Sequence, residues 1–247
     1  MLGLNKKQST TLGWLFALGL GFASTGCGTL ANNNNVQGKR LYEQGQYNEA
    51  LSSFQKAVQR DPNNADTYYN MARTYHHLGQ TSGNDQYMKQ AEILYNDCLN
   101  RDANHEDCYR GLAVLLIETD RKESAFTLLR RWNASNPVSA DPKLELARLY
   151  KEFGDSQQAQ DLVADALRVD PQDARANRAM GMLREEQGQL AEALDSYQRA
   201  FSSNAMQADL REKIASLQQS VAAQYAGQTG ARTASTASTV PVPTGTF

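Results

Sequence analysis

The chain has 247 residues, 40% of them apolar and 21% charged, with 25 basic side chains against 27 acidic ones. That composition belongs to a folded, water-facing protein long enough to bury a sizeable core. The near balance of charge speaks against the concentrated basic face of nucleic-acid binders, so no nucleic-acid partner is expected. The first element along the chain is "MLGLNKKQSTTLGWLFALGLGFASTGC", in which Lys6 and Lys7 precede an apolar run from Leu12 to Ala23 and small residues lead to Cys27. A charged start, an apolar centre and a small-residue exit make the three-part pattern of a secretory signal, here residues 1–26. The apolar run is short for a bilayer span.

The exit Ser24-Thr25-Gly26-Cys27 resembles a bacterial lipobox. The resemblance implies that Cys27 receives a diacylglycerol, that the signal is cut ahead of it, and that residues 27–30 form a lipidated linker to the membrane. Ser24 departs from the Leu preferred there, which leaves ordinary signal cleavage and a soluble periplasmic or secreted protein as the alternative. Gly28 follows the cysteine, where an Asp marks inner-membrane retention in some bacteria, so an outer-membrane lipoprotein facing the periplasm is the expectation. Removing Cys27 from the three cysteines leaves the pair Cys98 and Cys108, in an export route that permits disulfides.

The next elements repeat. "GQYNEALSSFQKAV" from Gly45 returns as "GQLAEALDSYQRAF" from Gly188, 143 residues on, which is four periods of 34 plus seven residues. Ala50, Ala91, Ala125, Ala159 and Ala193 mark the intervening copies, with steps of 41, 34, 34 and 34. Gly45, Asp120, Gly154 and Gly188 stand five residues before four of these alanines. Gly79 stands twelve before Ala91, so the seven extra residues fall within "TSGNDQYMKQ", around Thr81 to Tyr87. Phe54, Tyr95, Leu129, Val163 and Tyr197 follow the alanines by four, one helical turn onward on the same face. Pro62, Pro137 and Pro171 break the helices that precede them. Each unit therefore reads as a helix A, a turn, a helix B and a break.

This pattern resembles the tetratricopeptide repeat, with a small residue at its eighth position, Tyr at the eleventh, Ala at the twentieth, an aromatic at the twenty-fourth and Pro at the thirty-second. The first unit carries Gly38, Ala50, Phe54, Ala57 and Pro62; the second Tyr68, Ala72, Tyr75, Ala91 and Tyr95; the fourth Ala147, Tyr150, Ala159, Ala166 and Pro171. The third and fifth are looser, with Leu116 and Arg184 at the tyrosine position. The resemblance implies an all-α, right-handed superhelical array of five hairpins over 31–207, divided as 31–64, 65–105, 106–139, 140–173 and 174–207. One hairpin cannot bury both faces of its helices, and stacked neighbours can. Leu210, Ile214, Leu217 and Val221 then stripe one face of a capping helix over 208–223. Residues 224–247, with Arg232 as their single charge and prolines at 241 and 243, are expected to form a disordered tail.

Little in this layout could carry chemistry, and no catalytic residue, cofactor or metal is expected. His76 and His77 are adjacent on a helix and point in different directions, unlike metal ligands four residues apart, so a solvated pair is the simpler reading. No glycine-rich phosphate loop occurs. Cys98 late in one helix and Cys108 early in the next can meet across a turn, as a disulfide or, alternatively, remain separate thiols. Trp132, where Ala is commoner, reads as a core filler.

Function is expected on the concave side. The resemblance places the fifth and ninth positions of each helix A there: Asn35 and Lys39, Tyr69 and Arg73, Arg110 and Val114, Leu144 and Arg148, Arg178 and Met182. That floor holds basic and apolar residues and no acid, with Asp66, Asp107, Glu118, Glu152, Glu185 and Glu186 at its borders, and suits a protein segment that offers carboxylates and apolar side chains. The clamp that binds chaperone C-termini is excluded, because Asn35, Asp107 and Gly111 occupy positions where it needs basic side chains. The expectation is a non-catalytic protein-binding scaffold of the bacterial envelope, similar in layout to small repeat lipoproteins of type IV and Tad pilus assembly. A self-associating structural protein is the alternative.

Overall fold

The computed structural model describes the backbone of residues 25–203 and 208–237, and side chains over 33–203 and 209–226. Among the described residues every regular element is an α-helix, as the all-α expectation requires, and no helix is long and apolar enough to cross a membrane. The signal segment through Ser24 lies outside the described residues.

The chain divides at Pro62 into two compact units. In the first, α1 (Thr25–Glu43) and α2 (Tyr47–Arg60) form a hairpin. Gly45 turns the chain with φ 75°, a left-handed conformation that glycine adopts without steric cost. Ala50, Phe54 and Ala57 are buried, and the Phe54 ring occupies the room a side chain on Gly38 would need. α1 corrects the expected linker over 27–30. No proline between Thr25 and Glu43 interrupts the hydrogen-bond ladder, so the helix seated on α2 continues back through Cys27, whose side chain lies outside the described residues.

The second unit contains four hairpins: α3 (Ala65–Ser82) with α4 (Asp85–Arg101), α5 (Glu106–Glu118) with α6 (Lys122–Ser135), α7 (Asp141–Glu152) with α8 (Ser156–Val169), and α9 (Ala174–Glu186) with α10 (Leu190–Ser203). α11 (Ala208–Ala237) packs on α10. Each helix packs on its successor, and α5 also touches α3 and α7, which brings the first helices of successive hairpins side by side. The alanines at 91, 125, 159 and 193 are buried, and small side chains there allow two helices to approach closely. Tyr95, Leu129, Val163 and Tyr197 fill the space beside them, each contributing about 1.5–3 kcal/mol by leaving water.

Turn chemistry sets the boundaries. Asp120, Gly154 and Gly188 take positive φ at three hairpin turns, and Gly83 does so at the fourth. Asn64, Asn84, Asp155 and Asp173 cap helix starts by accepting backbone N–H groups. The turns between hairpins are held by a recurring donor six residues on. Tyr109 Oη donates to the Ala103 carbonyl at 3.2 Å, Lys143 Nζ to that of Pro137 at 2.6 Å and Asn177 Nδ2 to that of Pro171 at 3.0 Å. Trp132 is buried and stacks on Tyr109 at 4.2 Å with the planes 8° apart.

Cys98 in α4 and Cys108 in α5 are bonded as a disulfide, with Cα atoms 6.5 Å apart, and tie one hairpin to the next.

Three differences from the sequence-based expectations have physical causes. The extra residues near Thr81 lengthen both helices of their hairpin: Gly79 stays inside α3, packed against Met88, and the turn moves to Gly83. His76 is not a solvated group. It is buried, with Nε2 2.7 Å from Glu118 Oε2 and Nδ1 3.3 Å from Tyr95 Oη, because its side of α3 faces the neighbouring hairpin. The last helix runs past Ala223 to Ala237, where no proline interrupts the hydrogen-bond ladder before Pro241.

Candidate functional site

The first helices of the four hairpins in the second unit present Tyr69 and Arg73 on α3, Arg110 and Val114 on α5, Leu144 and Arg148 on α7, and Arg178 and Met182 on α9. The i, i+4 spacing keeps each pair on one side of its helix. Tyr69 lies 5.5 Å from the His105 ring and 6.3 Å from Tyr95, and the Arg73 guanidinium stands 6.0 Å from its centroid. Val114 and Leu144 are half-buried, and Met182 is 42% exposed. In the first unit Asn35 is buried in its own hairpin, while Lys39 is exposed on α1.

The expected acid-free floor is corrected here, because carboxylates are built into it. Glu145 on α7 is 4% exposed and accepts from Arg110 Nε at 2.9 Å and a terminal nitrogen of Arg110 at 2.6 Å through one oxygen, and from Arg148 Nε at 3.2 Å through the other. Arg110 also donates to Glu106 at 2.5 Å and Asp107 at 2.8 Å. Its hydrogen bonds to Glu145 and the surrounding acids hold its pKa above the ordinary arginine value, against the desolvation that would lower it. Arg175 extends the lattice from α9, reaching Glu106 at 2.9 and 3.0 Å and Asp141 at 2.5 Å. Burial works against its charge, but the bond to Asp141 and the pull of Glu106 and Asp173 outweigh it and raise the pKa further. Arg178 donates to Asp209 on α11 at 2.6 Å, and Lys151 meets Glu186 at 2.6 Å.

Sequence reasoning missed Glu145, Glu106 and Arg175. The signal was present as opposite charges about one period apart: Arg110 and Glu145 are 35 residues apart, Asp141 and Arg175 34. In a repeat array such pairs sit at adjacent positions on neighbouring units.

Between α7 and α9 this face opens into a hollow of about 310 Å³, floored by Leu144, Ala147, Val163, Ala179, Met182 and Leu183 and edged by the ion lattice. Cys98, His105 and Cys108 place sulfur and nitrogen atoms within 4.8 Å of one another, but the two sulfurs are bonded to each other. His105 instead caps α5, its Nδ1 accepting from the Cys108 N–H at 3.3 Å, and its Nε2 is 3.0 Å from Asp66.

Comparison with known proteins agrees with this architecture. Residues 38–79 match a family model described as a TPR repeat, and residues 72–105 and 144–206 match two described as tetratricopeptide repeat. The human protein O-mannosyl-transferase TMTC1 is 26% identical over 187 residues, which are 73% of this chain and 20% of that protein. A DnaJ homolog subfamily C member 7 homolog of Schizosaccharomyces pombe is 23% identical over 183 residues, 70% of this chain and 38% of that protein. The chain thus spans about a fifth and under two fifths of these curated relatives. Among solved structures, a thermophilic TPR protein of Thermus thermophilus superposes with a TM-score of 0.56 at 25% identity, covering 76% of this chain and 99% of that one. PilF of Pseudomonas aeruginosa superposes at 0.51 and 18% identity, covering 82% and 95%, a likeness of fold alone. The helical hairpins, the small-and-aromatic packing inside them and these matches establish that the chain belongs to the tetratricopeptide-repeat proteins.

Proposed function

We propose that the protein is a non-catalytic binding scaffold of the bacterial cell envelope, which holds a segment of a partner protein against the first helices of its hairpins. The observation that carries the reading is the composition of that face: Tyr69, Leu144 and Met182 offer apolar surface beside Arg73 and Arg148, on helices tied to one another by the ion lattice and, for α3, by the His76–Glu118 contact. A fixed surface loses little freedom on binding, which favours affinity.

The envelope location rests on the signal pattern and on Cys27 as the lipid-bearing residue, and the Cys98–Cys108 disulfide suits an oxidising compartment. Two or more acyl chains on Cys27 would anchor the protein stably in the outer membrane, facing the periplasm. The narrower reading, assistance in assembling an envelope machine such as a type IV or Tad pilus, rests on similarity of layout.

The test is photocrosslinking from position 73 or 182 in native membranes, followed by identification of the bound protein, with an Arg73→Glu, Arg148→Glu variant beside the native chain. A partner captured by the native chain and lost from a variant of unchanged helicity is the expected result. Capture of the same proteins by both forms would remove the face from consideration. Intact mass of the mature chain, with Cys27→Ser as control, tests the anchor, and a light-scattering mass that rises with concentration would favour self-association instead.

A further inference from the structure

The hollow between α7 and α9 differs from the rest of its face in the way it is filled. Leu144 occupies the repeat position that Tyr69 holds two hairpins earlier. The Tyr69 ring stands among Tyr95 and His105, whereas the shorter Leu144 packs against aliphatic clusters that include Ala147, Val163 and Ala176 and lines the hollow with no ring beside it. The volume left, about 310 Å³, is at the lower end of the range of ligand pockets. It is twice that of a cavity of about 150 Å³ which accepts benzene. One large aliphatic side chain enters it with room to spare.

The edge decides what accompanies that side chain. Four cations, Arg110, Arg148, Lys151 and Arg175, stand there against Glu106 and Glu145. Arg110 and Arg175 are each turned onto several carboxylates. Arg148 is different. It is as exposed as Arg110, at 41% against 40%, but it bonds Glu145 through Nε alone, and among the described residues its two terminal nitrogens meet no acceptor. Two parallel N–H donors at the lip of an apolar hollow match a carboxylate in bidentate geometry. From this we infer that the hollow is the anchor site for the partner segment and takes a Leu-, Ile- or Met-sized side chain with an Asp or Glu within two residues of it, the carboxylate meeting Arg148. The inference rests on the proposed role of this face and specifies the chemistry of its ligand.

The test uses the full-length protein in detergent against a phage-displayed random dodecapeptide library, followed by fluorescence anisotropy with the enriched peptides. Enrichment of an aliphatic residue beside an acid is expected. Ala179→Phe, which sets a ring into the hollow and narrows it, should weaken binding at least tenfold, and Arg148→Gln should weaken it several-fold and flatten its salt dependence. Because Ala179→Phe could disturb folding, the Met182 methyl resonance gives an independent reading on the unaltered floor, and it should shift on peptide addition. Peptides that lose affinity in Arg73→Glu but neither move Met182 nor respond to Ala179→Phe would overturn the anchor site while leaving the face as the binding surface. Peptides indifferent to all three substitutions, or a library that yields none above background, would overturn both.

Discussion

Arg110→Met is the most informative single change, because it separates what holds the site together from what binds. It removes two hydrogen bonds, of 2.9 and 2.6 Å, from a carboxylate whose side chain is 6% exposed. Stranding one member of a buried ion pair costs about 3–5 kcal/mol. Two features of this pair reduce the figure: Arg148 keeps its contact with Glu145 at 3.2 Å, and Arg110 is itself 40% exposed, so water can replace part of it. The expected loss is about 2 kcal/mol, which at a urea dependence of roughly 2 kcal/mol per molar lowers the midpoint by about 1 M. Glu145→Leu in the same chain should recover most of the loss, since apolar replacement of both partners is often neutral. Urea denaturation followed by circular dichroism on the two single variants and the double variant completes the cycle. A midpoint unchanged in Arg110→Met, or a double variant no more stable than the single, would refute the claim that Glu145 depends on this partner.

Other expectations follow from the packing and the charges. Gly111→Ala would set a methyl 2.5 Å from Cε1 and 2.6 Å from Cζ of the buried Tyr95, and should destabilise by about 1–3 kcal/mol in the same denaturation assay. Gly154→Ala meets nothing within 4 Å but sits at φ 83°, so its cost of about 1 kcal/mol is backbone strain, which Asn at the same place should relieve in part. Reducing the Cys98–Cys108 bond, which spans 10 residues, should lower stability by about 2–3 kcal/mol, read as the midpoint shift with and without reductant. The hydrogen bond from Arg178 holds the Asp209 carboxyl below the ordinary carboxylate range. A lowered folded pKa contributes stability above the unfolded value and loses it as pH falls through the folded one. The melting temperature of Asp209→Asn should therefore lie below the parent at neutral pH and converge with it in acid, and a gap that persists in acid would contradict this ionic role.

The fold is legible in the sequence because its signals are local and recur. Ala91, Ala125, Ala159 and Ala193 are spaced by the period and are all buried, and Gly45, Asp120, Gly154 and Gly188 all take the left-handed backbone that ends a helix. Each of these residues reports a backbone or packing requirement of its own unit. The site is less legible because its residues answer to other units. Arg110 reads as an exposed cation on its own helix, and only the hairpin beyond reveals that it serves the buried Glu145. His76 likewise is solvated in the helical register of α3 alone, and becomes buried when Glu118 and Tyr95 are brought against it. The turn of the long hairpin at Gly83 escapes a sequence reading for a third reason: a seven-residue insertion can lengthen a loop or two helices with the same spacing in sequence, and the Asn84 cap with the left-handed Gly83 decides for helices.

The same cross-unit ties bear on how such a face could bind. In a repeat array each hairpin touches only its neighbours, so the relative placement of distant helices is set by a sum of small angles and is soft unless something spans the steps. In the second unit the spanning elements lie where the face needs them. The disulfide joins α4 to α5, Arg110 joins α5 to α7 through Glu145, Arg175 reaches from α9 past α7 to Glu106 on α5, and Arg178 joins α9 to α11. These charges are directed at one another, whereas the terminal nitrogens of Arg148 at the edge of the hollow are not. Loss of a tie should then weaken binding without removing any contact to the ligand, because the helices would have to be ordered at the moment of association. Asp141→Ala, which cuts the tie from Arg175 on α9 to α7 at a residue that does not line the hollow, is the variant in which that effect stands alone: the affinity of an enriched peptide should fall while its preference for an acid beside the apolar anchor stays as it was.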